Sequence, residues 1–163
     1  MPTQKQIERA LTESLDTLLA RDDHLLGVDA NERSLTHRLA VYLEHAVNAW
    51  QEDWNVDCEY NRDVMSEHER YIKQLDLHEM DLIPVQIDDE HARTVYPDII
   101  VHNRGTDQNL LVIETKKNSS DDDGSHDRKR KLPAYKIQLG YQYAVFVLLA
   151  VGENIGYDYE WIE

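Results

Sequence analysis

Two apolar runs separated by a polar turn dominate the middle of this chain. Ile99, Ile100 and Val101 lead into Asn103-Arg104-Gly105-Thr106-Asp107-Gln108-Asn109, and Leu110 to Ile113 lead out. Apolar runs flanking a turn that contains Gly and Asn spell an antiparallel hairpin. Side chains alternate along a strand, so Glu114 and Lys116 leave the same face. With the turn centred near Thr106, facing residues carry numbers summing to about 212, which sets Asp98 opposite Glu114 with Cβ atoms roughly 5 Å apart. Two carboxylates that close repel, by on the order of 4 kcal/mol at 4 Å and intermediate dielectric. A proton, a cation or solvent must offset this. A divalent metal ion held by both, with Lys116 beside it, uses all three residues.

The rest of the chain alternates helical and strand patterns around that hairpin. Residues 4 to 20 place Ile7, Ala10, Leu11, Leu15, Leu18 and Leu19 at helical spacing, with Thr3 as N-cap. Residues 30 to 51 form a second helix with Leu35, Leu39, Tyr42, Leu43, Ala46 and Trp50 on its apolar face. Glu32 lies one turn before Leu35 on that face. Asp29 to Glu32 also fits a capping box, in which Glu32 bonds the Asp29 backbone N–H. Residues 54 to 62 alternate as a half-buried strand, with Val56, Cys58 and Tyr60 on one side. Within residues 63 to 95, Ser66-Glu67-His68-Glu69 reads as a helix start, Tyr71, Ile72 and Leu75 as packing residues, and Leu82 to Ile87 as an edge strand interrupted by Pro84.

After the hairpin, Asn118 to His126 is a polar, acidic loop. Residues 127 to 139 make a helix with Pro133 near its first turn or at a kink. The continuous apolar run Tyr143 to Val151 is a buried strand, and Ile155 to Ile162 adds an edge strand. The chain is therefore expected to be α/β. A length of 163 residues fits a single domain, with an N-terminal helix within residues 1–25, a core over 30–163 and an insertion at 63–95.

Pro97-Asp98, followed after a short hairpin by Glu114-Thr115-Lys116, resembles the PD-(D/E)XK nuclease superfamily. The likeness spans about residues 31 to 151. Asp127, Lys131-Leu132 and Tyr135 are similar to an Asp…Lys-Leu…Tyr pattern of one subgroup, from which Pro133 departs. The resemblance implies a restriction-endonuclease-like fold, a central mixed sheet of four to five strands flanked by helices. It implies hydrolysis of phosphodiester bonds in DNA, with RNA as the other candidate, dependent on Mg2+ or Mn2+. Asp98, Glu114 and the Thr115 carbonyl would be the metal ligands. Lys116 would position and polarise the attacking water, and Glu32 would offer a further carboxylate from the first core helix. Lys117, Lys129 and Lys131 are candidates for substrate phosphates. The alternative is a nuclease fold kept as a catalytically inactive binding or structural subunit, in which Lys116 pairs internally with Asp98 and Glu114. A glycosidase with paired carboxylates ranks lower, because it gives Lys116 no role.

Charge cuts across the nuclease expectation. The net charge is −15, whereas nucleic-acid binders usually carry a positive patch. The one net-basic region is Lys116 to Lys136, with Lys116, Lys117, Arg128, Lys129, Arg130, Lys131 and Lys136 against Asp121, Asp122, Asp123 and Asp127. A saline habitat, a homodimer or a basic protein partner would also accommodate the acidity. The single Cys58 fits a reducing, cytoplasmic compartment, and no apolar run is long enough to span a bilayer.

Overall fold

The computed structural model describes residues 1–50, 53–59 and 96–163, together with the strand backbones 62–66, 69–72, 74–76 and 92–94. Helix α1 (Gln4–Arg21) starts where Thr3 closes a capping box with Gln6, each side chain accepting from the other's backbone N–H. Its stripe of Ile7, Ala10, Leu11, Leu15 and Leu18 is buried. A short helix, α2 (Asp23–Gly27), follows and has no counterpart in the apolar pattern. Helix α3 (Glu32–Val47) is shorter than its pattern, and buries Leu35, Thr36, Leu39, Leu43 and Val47 against α1 and the sheet.

Five strands form the main sheet: β1 (Asn55–Cys58), β6 (Ile99–His102), β7 (Asn109–Lys117), β8 (Tyr143–Ala150) and β9 (Gly156–Ile162), in the order β1-β6-β7-β8-β9. Only β7 and β8 run parallel. A parallel pair needs a crossover connection, supplied here by α4 (Leu132–Leu139). The sheet is thus mixed, with helices on both faces, and the chain is α/β.

Between β1 and β6, β2 (Arg62–Ser66) pairs with β3 (Glu69–Ile72), and β4 (Gln74–Asp76) pairs with β5 (Ala92–Thr94), as two separate two-stranded sheets. The helix start expected at Ser66 to Glu69 is overturned, since both residues end paired strands. A cap motif acts only when helical periodicity follows it. Here Val64, Tyr71 and Ile72 are strand formers instead. The edge strand expected at Leu82 to Ile87 lies outside the described residues, as does the packing of Tyr71, Ile72 and Leu75.

The hairpin register follows the sequence expectation. Ile99 pairs with Ile113, Ile100 with Val112 and Val101 with Leu111. An irregularity between Val101 and His102 then absorbs the turn. One face of the sheet turns Ile99, Val101, Leu111, Ile113, Val145 and Val147 toward α1 and α3. The other turns Ile100, Val112, Ala144 and Phe146 toward Leu132, Ala134 and Tyr135 on α4. Burial on both faces is why the central strands read as unbroken apolar runs.

The approach to α4 is a π-helical turn, Asp127–Lys131, in which the Leu132 N–H donates to Asp127 O. Pro133 is the physical cause. It has no N–H, and its ring would meet the carbonyl four residues back, so the chain widens just before it.

Candidate active site

The end of the β6–β7 hairpin lies where the apolar alternation gives way to charge. Asp98 immediately precedes β6. Its Oδ2 accepts hydrogen bonds from the Thr115 backbone N–H (2.8 Å) and from Thr115 Oγ1 (2.9 Å). The one proton of the Thr115 hydroxyl is spent on Asp98, so the 2.6 Å contact with Thr36 Oγ1 is donated by Thr36. This chain, from buried Thr36 and Thr115 to half-buried Asp98, ties α3 to β7 at the site. Thr115, considered for its carbonyl, contributes here through its amide and hydroxyl.

Glu114, one residue past the Ile99–Ile113 pair, is 2% exposed. Lys131 Nζ donates to Glu114 Oε2 at 2.9 Å, while Glu114 Oε1 is buried with no hydrogen-bond partner. Burial, and then the charge of Asp98, push the Glu114 carboxyl up to about 8 against the pull of Lys131. Burial also raises Asp98, with the two Thr115 bonds opposing it. The Tyr135 hydroxyl is buried beside Glu114 without a hydrogen bond of normal geometry, and burial, then the Glu114 charge and a weak hydrogen-bonding interaction with that carboxylate hold its proton firmly in place.

Lys116 leaves the same face of β7 as Glu114 but pairs elsewhere. Its Nζ lies 3.6 Å from Glu32 Oε1, 3.5 Å from Asp122 Oδ2 and 3.6 Å from Asp127 Oδ2. Burial lowers its pKa, and the carboxylates of Glu32, Asp127, Asp122 and Asp98 more than reverse this, so it stays an ammonium. The internal pair expected between Lys116 and the two hairpin carboxylates is therefore replaced. It is Lys131, from the far side of the acidic loop, that bonds Glu114, and it also lies 3.1 Å from Asp127 Oδ1.

Of the two roles open to Glu32, the structure removes the capping box. Asn31 is the N-cap of α3, with Oδ1 accepting from the Ser34 N–H at 2.8 Å, and the Asp29 N–H goes to Leu26 O. Glu32 is left free to turn inward, where its Oε2 accepts from the Lys117 backbone N–H at 3.1 Å. It joins the cluster and makes no capping box.

Of the lysines considered for substrate phosphates, Lys117 is not presented to solvent. Its Nζ donates to Asp29 Oδ1 (2.7 Å) and Ala30 O (3.0 Å). Lys131 is engaged as described, and Lys129 is exposed. Two further cations of the basic segment are also drawn inward. Lys136 Nζ donates to Ile162 O, and Arg128 stacks over the Phe146 ring at 4.6 Å. The seven basic residues therefore do not form the positive face that their sequence clustering implies, because internal carboxylates and carbonyls claim most of them.

The cluster gathers five carboxylates, Glu32, Asp98, Glu114, Asp122 and Asp127, around two ammonium groups, Lys116 and Lys131. Among the described residues no three His, Cys, Asp or Glu side chains converge closely enough to hold a metal ion by themselves. Asp98 and Glu114 nevertheless fit a hard cation: both offer oxygen donors, and the orphaned Glu114 Oε1 is a buried acceptor in need of a partner. A cleft of about 600 Å³ opens beside Asp98, lined by Glu32, Thr36, His37, Cys58, Glu59 and Asp98. Cys58 is exposed as a residue, yet partial burial of its thiol, with nearby Asp57 and Asp98, pushes it up to about 11, so it stays a thiol at neutral pH.

Tyr135 enters the sequence analysis only through the subgroup pattern, Asp127 through that pattern and the charge balance, Asp122 only as one charge of the acidic loop, and Thr36 not at all. The signal for Asp127 was its spacing of four from Lys131. Thr36 carried none, since its role arises from packing against β7. Together these features define an α/β protein with a carboxylate–lysine cluster at the open end of its central hairpin. No protein family, curated protein or solved structure matches the chain. Among the described residues, no helix is long and apolar enough to cross a membrane.

Proposed function

We propose that this chain is a restriction-endonuclease-like, PD-(D/E)XK-type nuclease that hydrolyses phosphodiester bonds in DNA, with RNA as the other candidate substrate, using Mg2+ or Mn2+. The observation that carries this reading is Glu114. It is a fully buried carboxyl with one oxygen unpartnered, at the end of a hairpin whose register sets it across from Asp98. Asp98 and Glu114 would hold the ion. When bound, a hard divalent cation supplies Lewis acidity toward a phosphodiester.

The remaining chemistry belongs to the chain. Lys116 is held as an ammonium by its carboxylate neighbours, so it cannot act as a general base. It can orient a nucleophilic water and stabilise negative charge developing on a phosphoryl oxygen. Thr36 and Thr115 fix Asp98 Oδ2, leaving its Oδ1 for the ion. The cleft beside Asp98 is the approach for substrate, and Lys129 is an exposed cation on the segment that carries Lys131.

One observation favours the second reading, a nuclease fold kept as a binding or structural subunit. Lys131 already supplies Glu114 Oε2 with a hydrogen bond without any ion. Calorimetric titration of Mn2+ into the wild type and Glu114→Ala, followed by incubation with DNA and RNA oligonucleotides, separates the two. Mn2+ binding and strand cleavage that both vanish in the variant support the nuclease. Absence of both in the wild type favours the subunit.

A further inference from the structure

A metal-free carboxylate cluster should be destabilised by its own charge, and here an ammonium relieves it. Lys131 Nζ lies 2.9 Å from Glu114 Oε2 and 3.1 Å from Asp127 Oδ1, on the same carboxylate that the nuclease reading assigns to the ion. The relief is incomplete. Glu114 Oε1 and Asp127 Oδ2 are buried and make no hydrogen bond of normal geometry, the Tyr135 hydroxyl being the one further donor that acts on the Glu114 carboxylate, and their residues are only 2% and 5% exposed. Lys116, 3.6 Å from Asp127 Oδ2, is too far for a hydrogen bond. An ammonium has three protons and one charge. A divalent ion of the Mg2+ class takes about six oxygen ligands and carries twice the charge. The cluster thus offers more acceptor capacity than its resident lysine can use.

Resting on the metal-dependent reading above, we propose that Lys131 is a built-in stand-in for the divalent cation. Its ammonium occupies the Glu114 carboxylate in the metal-free protein and is displaced when the ion binds. Three features permit the exchange. The Lys131 side chain is 23% exposed, so its ammonium has a route to solvent. It projects from the last residue of the π-helical turn, the N-cap position of α4. Its long, flexible stem allows the head to move while the backbone stays in place. The released ammonium keeps Asp127 as a partner, whose Oδ1 lies 3.1 Å from it. Lys131 is in this sense a positioning residue, keeping Glu114 inward until the ion arrives.

The test compares Mn2+ titrations of wild type, Lys131→Met and Lys131→Gln by calorimetry, alongside melting temperatures with and without saturating Mn2+. The expected result is Mn2+ binding at least tenfold tighter in both variants, because the competing ammonium is gone. Metal-free melting temperatures should fall, and Mn2+ should raise them by more than it raises the wild type. A merely structural lysine would lower both melting temperatures equally, and that outcome overturns the proposal. So does binding to the variants that is equal to or weaker than wild type, which leaves the metal-dependent reading standing. Absence of Mn2+ binding in wild type and variants alike overturns both. Should a variant be unfolded without metal, refolding on adding Mn2+ supports the exchange, and failure to refold overturns it.

Discussion

Replacing Glu114 by Gln isolates what its buried charge costs the fold. The carboxyl rises from an ordinary 4.5 to about 8 on folding, first through burial and then through Asp98. The folded state therefore binds this proton more tightly than the unfolded chain does. Stability from the group is fully present below about 4.5 and is lost as pH climbs through about 8. Between those limits linkage sets a slope of about 1.4 kcal/mol per pH unit, so the loss accumulates to a few kcal/mol. The amide of Gln has nearly the shape of the protonated acid and no ionisation. Urea unfolding of chelator-treated wild type and Glu114→Gln at pH 5, 6, 7 and 8 measures the difference. The two should be nearly equal at pH 5, and the variant should be more stable by a few kcal/mol at pH 8. A difference that is flat across this range, or that favours the wild type at pH 8, would refute the assignment of Glu114 as a carboxyl destabilised by burial.

Two further substitutions probe the frame of the site. Gly124 has φ of +71°, and a Cβ there would run into the Phe146 ring and come within 3.2 Å of Lys116 Cγ. Gly124→Ala should cost about 1–3 kcal/mol in urea unfolding, from backbone strain and the shifted ring, and unchanged stability would contradict this packing. Thr36→Val keeps the shape but removes the hydroxyl that donates to Thr115. It should destabilise by about 1 kcal/mol, and a variant as stable as wild type would show that the bond contributes nothing.

Much of the fold was legible because it is written locally. The α1 stripe, the Thr3 cap and the unbroken runs of β7 and β8 are patterns within single elements, as is the hairpin, whose turn dictates its own register. That register was enough to bring Asp98 and Glu114 together on paper. The helix start read at Ser66 failed because a cap motif was weighed without the periodicity that should follow it. The basic segment misled in another way. Charge clustering along the chain says nothing about which side chains turn inward, and Lys117, Lys131 and Lys136 all do.

By itself, then, the sequence determined the α/β alternation and the facing pair Asp98 and Glu114, together with the emergence of Lys116 on the Glu114 face. Each depends on strand or helix periods acting over a few residues. Only the tertiary structure decided the partners. Lys131 reaches Glu114 because the crossover from β7 to β8 must return across that face of the sheet, and Pro133 forces the π-helical turn on which Lys131 and Asp127 lie. Glu32 turns inward because Asn31 takes the cap, and the Lys117 amide it meets is 85 residues away in the chain. Such contacts are set by how whole elements stack, and no spacing within any one of them encodes it.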